Sequence, residues 1–100
     1  MAELRDADLA AGIRVGVDYD TLDPQIQRII TRLNVSCTAY VRAHTDRAPQ
    51  EVENEAIIRM AGYLYDAPPV TRFGVAFRES GAQALVDPWK IRAMPLAETP

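Results

Sequence analysis

Two amphipathic stretches, each opened by a proline and joined by the short link Thr45-Asp46-Arg47-Ala48, constrain this chain more than anything else in it. The first begins at Asp23-Pro24. Asp23 can accept a backbone N–H as N-cap, and Pro24 gives up a donor that has no helical partner at that position anyway. Ile26, Ile29, Ile30, Leu33, Cys37, Tyr40 and Val41 then recur at spacings of three and four. That spacing predicts a helix with one apolar stripe as far as Ala43 or His44, with Gln25, Arg28, Arg32 and Asn34 on other sides. The second stretch starts near Pro49. Glu51, Glu53 and Glu55 suit the positive end of its dipole, and Val52, Ala56, Ile57, Met60, Ala61 and Leu64 mark its inner face. It ends near Tyr65-Asp66, before Ala67-Pro68-Pro69. With so short a link, the two helices must pack antiparallel as a hairpin.

The flanks are shorter. Ala7 to about Val15 reads as a helix with apolar Leu4, Leu9, Ile13 and Val17, weakened by Gly12 and Gly16. Asp18-Tyr19-Asp20-Thr21 reads as loop. Residues 70–79 are apolar without a helical period, so a mobile loop or a short extended segment is expected; Phe73, Val75 and Phe77 alternate as a strand would. Ser80 then caps a final short helix, Gly81 to Val86, which Pro88 ends. The expected architecture is all-α: a small bundle built on an antiparallel helical hairpin, with a short N-terminal helix, an apolar loop, a short C-terminal helix and an extended arm. A single domain spans 1–100, its helical body about 6–86 and its arm about 87–100.

Composition narrows the function classes. At 100 residues, 48% hydrophobic and 25% charged, the chain has material for one modest core and does not have the composition of a disordered protein. No apolar run approaches a membrane span. Met1-Ala2-Glu3-Leu4-Arg5-Asp6 lacks the basic-then-apolar layout of a signal peptide, so the chain is expected to stay where it is made or to be built into something there. The net charge of −3 disfavours a basic nucleic-acid face. Its distribution is uneven: residues 1–23 carry a net −4 and residues 70–100 a net +1. That asymmetry suits a head-to-tail contact between identical subunits, although ordinary solvated surfaces produce it too.

Catalytic chemistry is hard to assemble. His44 sits at a helix end beside Arg42 and Arg47, where a histidine commonly serves as a dipole partner. No nucleophile–base pairing, phosphate-cradling glycine loop or metal-ligand spacing is present. Asp18, Asp20 and Asp23 imitate a calcium loop without its glycine turn or terminal glutamate. Cys37 falls on an apolar stripe and reads as a small core residue. The expectation is a protein that is not an enzyme and needs neither cofactor nor metal.

The remaining signal lies in Phe77-Arg78-Glu79-Ser80-Gly81-Ala82-Gln83-Ala84-Leu85-Val86-Asp87-Pro88-Trp89-Lys90-Ile91-Arg92, where the lone tryptophan follows a proline and is followed by alternating cationic and apolar residues. On residue type alone Trp89 either plugs its own core or anchors on a partner. This ending, after a hairpin closing on Tyr63-Leu64-Tyr65-Asp66, resembles the head–tail connector (adaptor) proteins of tailed bacteriophages and phage-like particles, over roughly residues 22–93. The N-terminal acidic segment departs from that family's usual opening, and Lys90 stands where arginine is more usual. The resemblance implies a structural virion protein, made in the bacterial cytoplasm and placed at the head–tail junction. It would form a ring, commonly dodecameric, under the portal vertex. The partners implied are the portal protein, copies of itself and a neck, stopper or tail protein below, with DNA only as channel contents and no membrane. Trp89, Lys90, Ile91 and Arg92 would form the portal-binding arm. Arg72, Phe73, Val75, Phe77 and Arg78 would belong to a loop meeting a neighbouring subunit or lining the channel, with lateral contacts favoured for Phe77 and Arg78. The host could be an infectious phage, a prophage or a gene-transfer particle. The competing class is a small helical regulatory or partner-binding module, antitoxin-like or transcription-associated.

Overall fold

The computed structural model describes residues 4–13, 19–68 and 70–91. Their order is α1 (Asp6–Gly12), a 3₁₀ turn (Tyr19–Thr21), α2 (Pro24–His44), α3 (Gln50–Asp66), α4 (Phe73–Glu79), α5 (Ala82–Val86) and a second 3₁₀ turn (Asp87–Trp89). No strand occurs among the described residues, and the fold is an all-α bundle on the α2–α3 hairpin. Among the described residues, no helix is long and apolar enough to cross a membrane.

The hairpin forms for the reasons its caps suggest. Asp23 Oδ1 accepts the Gln25 N–H at 2.8 Å, and Pro49 holds the N-cap position of α3. Ile30, Cys37 and Val41 of α2 meet Ala56, Ile57, Met60 and Ala61 of α3 in one continuous core. Arg42 Nε bridges to Glu53 at 3.2 Å across the hairpin; the arginine side chain is 42% exposed, so solvent screens the pair and the bridge contributes about 1 kcal/mol or less. Burial of the apolar stripe holds the pair together.

The stripe is rotated slightly from its expected setting. Ile29 is 44% exposed, whereas Asn34 is buried. Asn34 Nδ2 donates to the Leu4 carbonyl (3.0 Å) and to Asp6 Oδ1 (2.9 Å), and Thr31 Oγ1 donates to Asp6 Oδ2 (2.7 Å). An inward amide is tolerated because these partners satisfy it, and in return it fixes α1 on α2. α1 ends at Gly12, earlier than its pattern predicts; Val15, Gly16 and Val17 lie outside the described residues. Gly12 has a packing reason beyond permissiveness, since a Cβ there would sit 2.7 Å from Ile58 Cγ2 of α3.

The largest correction concerns residues 70–79. They hold neither a loop throughout nor a strand: Phe73–Glu79 is α-helical. Phe73, Ala76 and Phe77 are spaced as one helical face, and the coincident Phe73, Val75, Phe77 alternation masked it. One face cannot display a period over two turns. Tertiary contact selects the helix, because Ala76 and Phe77 are buried in the core beside Ala82 and Val86 of α5. The turn between α4 and α5 needs Gly81, whose φ is +87°. Ser80 Oγ accepts the Ala82 N–H at 3.3 Å, although Gly81 occupies the cap position itself.

Candidate interaction surface

The C-terminal segment does not leave the body at residue 87, as an extended arm would. Pro88 cannot continue α5, and Asp87–Trp89 tightens into a 3₁₀ turn, with the Lys90 N–H on the Asp87 carbonyl at 3.1 Å. The chain then runs antiparallel to the α2–α3 link, Lys90 opposite Thr45. The Asp46 N–H donates to the Trp89 carbonyl at 2.7 Å, and the Ile91 N–H donates to the His44 carbonyl at 3.1 Å. The link is shaped to receive this segment. Thr45 is extended and buried, its hydroxyl donating to the Val41 carbonyl at 3.0 Å, while Arg47 takes a positive φ of 62° to turn the chain into α3. The carbonyls ending a helix have no partner within it, and here the C-terminal segment supplies one.

Trp89 is half-buried in this clip, Lys90 is exposed and Ile91 is 55% exposed. Arg92 and the rest of the expected arm, 93–100, lie outside the described residues. Of the expected loop residues, Arg72 is the N-cap of α4 and exposed, Phe73 is 37% exposed and Val75 is half-buried. Arg78 is exposed and, among the described residues, pairs with its neighbour Glu79 at 3.3 Å. Phe77 is 6% exposed and belongs to the core, so it does not offer the lateral contact expected of it.

His44 joins the two groups. Its ring stacks on Tyr40 at 4.3 Å between centroids and lies 5.4 Å from Phe77, while its carbonyl holds Ile91. Tyr40 in turn meets Phe73 at 5.9 Å and Phe77 at 5.2 Å. The signal was present as two pairs at helical i, i+4 spacing, Tyr40/His44 and Phe73/Phe77. It could not be used while 73–79 read as loop. Beyond Phe73 opens a groove of about 190 Å³, between Leu33 and Ser36 of α2, Leu64 of α3, and Pro68 and Thr71 beyond its end, with Arg32 beside them. No ion pair reaches Arg28 or Arg32 among the described residues, although the two repel at i, i+4.

Nothing in the described part gathers reactive groups. No cluster of three or more His, Cys, Asp or Glu able to hold a metal occurs among the described residues. Cys37 is fully buried, and burial pushes its thiol up to about 12, far from the thiolate needed of a nucleophile or ligand. No protein-family model matches the chain, and neither a curated protein nor a solved structure matches it.

Proposed function

We propose that this chain is a structural adaptor subunit that forms a ring beneath a portal vertex, joins a DNA-filled head to the neck or tail below, and extends the DNA channel. It performs no catalysis and needs no cofactor. The observation that carries the reading is the C-terminal clip: a backbone-pinned segment that displays Lys90 and Ile91 at the surface beside a half-buried Trp89. A pinned segment loses little further freedom when a partner docks on it, which favours its use as a contact point. Exposed Arg72, Phe73 and Arg78 are available for lateral contact with a neighbouring subunit. The family resemblance of the Ser80–Arg92 ending supplies the partner class, with Arg92 continuing the portal contact.

The test is light scattering of the purified protein alone and with the portal protein of the same particle. The expected result is a ring-sized complex with portal, lost for a chain ending at Val86 and much weakened by Ile91→Asp. Truncated chains that assemble on the portal as well as the full chain would remove the C-terminal contact from this reading. A stable small dimer indifferent to portal would remove the adaptor itself.

A further inference from the structure

We propose that the open cleft beside the first half of α2 binds a phosphate monoester, with Arg28 and Arg32 holding the phosphate and Tyr19 and Pro24 receiving the group that carries it. This goes beyond the adaptor reading and does not depend on it. The cleft measures about 480 Å³ and is lined by Tyr19, Pro24, Gln27, Arg28, Thr31 and Arg32. Its outer wall is fixed in place. Gln27 Nε2 donates to the Tyr19 carbonyl at 2.7 Å, and the Leu22 N–H donates to the same carbonyl at 3.1 Å. The 3₁₀ turn that carries Tyr19 is thereby pinned against α2.

The two arginines give this cleft an excess of positive charge. Both are exposed and stand one helical turn apart, so their Cβ atoms are about 6 Å from each other and both side chains can reach one anion. The carboxylates nearest to them are engaged elsewhere. Asp6 accepts Asn34 on Oδ1 at 2.9 Å and Thr31 on Oδ2 at 2.7 Å, and Asp23 Oδ1 caps α2. Asp20, next to Tyr19, forms no ion pair with either arginine among the described residues.

The charge to be matched selects the ligand. Two guanidiniums present two planar forks of donors, and a single carboxylate can neutralise only one of them. A phosphate monoester carries a charge of about −1.5 to −2 at neutral pH and three terminal oxygens, enough to accept a fork from each side. The cleft is larger than a bare phosphate needs and falls in the size range of small-molecule sites. Tyr19 and Pro24 offer apolar surface to the organic part. Gln27 and Thr31 have spent donors on the fold, and their oxygens keep acceptor capacity for a hydroxyl.

NMR of the full chain, titrated with phenyl phosphate, inorganic phosphate and acetate at constant ionic strength, tests this. The expected result is saturable shifts of the Arg28 and Arg32 Nε–H signals and of the Thr31 amide. Phenyl phosphate should bind more tightly than inorganic phosphate, and acetate should leave these signals in place. Arg28→Gln and Arg32→Gln should each weaken phenyl phosphate about tenfold or more, with the remaining spectrum unchanged. Arg32→Lys keeps the charge but loses the fork, and should still weaken binding several-fold. A response to acetate equal to that for phosphate would overturn the proposal. So would shifts spread equally to Arg72 and Arg78, inorganic phosphate binding as tightly as its phenyl ester, or binding that survives both glutamine substitutions.

Discussion

Burial of Cys37 among Ile30, Val41, Ala56 and Ile57 gives its thiol a measurable thermodynamic signature. The folded chain keeps the proton up to about pH 12, whereas the unfolded chain releases it near the ordinary cysteine value. Stability from this group is therefore fully present below about pH 9 and falls as pH rises from there, by at most about 1.4 kcal/mol per unit. Urea midpoints between pH 8 and about 10.5 should fall more steeply for wild type than for Cys37→Ala, and equal slopes would contradict the assignment. Gly81 is the second residue with a sharp expectation. At a φ of +87° any side chain is strained, so Gly81→Ala should lower stability by about 1–2 kcal/mol in denaturant titration. Both positions carried visible signals, an apolar stripe and a Ser-Gly pair. Only Cys37 had its environment legible in advance; Gly81 was placed inside the last helix when it stands just before it.

Among the elements, α4 shows how contact overrules pattern. Phe77 fills the core between Tyr40 and α5, so Phe77→Ala should cost about 3–4 kcal/mol, whereas Phe73→Ala, with its ring partly solvated, should cost under half as much. A strand or loop at 73–79 predicts nearly equal, small effects, and chemical denaturation separates the two. The clip is a second element whose strength can be read directly. Ile91→Pro deletes the donor to the His44 carbonyl and should cost about 1 kcal/mol, with faster hydrogen exchange at Asp46 as the flanking bond to Trp89 frays. Unchanged exchange at Asp46 would mean the segment is held by its side chains. Nothing local announced this clip, because its bonds join backbone groups 43 or more residues apart, whose identities leave no trace in composition.

At the scale of the molecule, one core links the five α-helices of the described residues, so α4 and α5 are structural parts of the body and not appendages. A chain ending at Asp66 would leave Tyr40 without its ring contacts to Phe73 and Phe77 and would lose the part of the core that α4 and α5 supply. It should keep much of its far-ultraviolet circular dichroism but lose cooperative unfolding, and a sharp transition in that chain would show the hairpin to be self-sufficient. The hairpin itself could be written from the sequence, because proline starts, an aspartate cap and apolar residues at helical spacing act within single helices, through neighbours three and four positions apart. The inward turn of Asn34, the helical state of 73–79, the His44 junction and the folding back of 87–91 could not be written that way. Each depends on a hydrogen bond or ring contact between segments distant along the chain, and such a contact exists only once tertiary packing has brought both surfaces together.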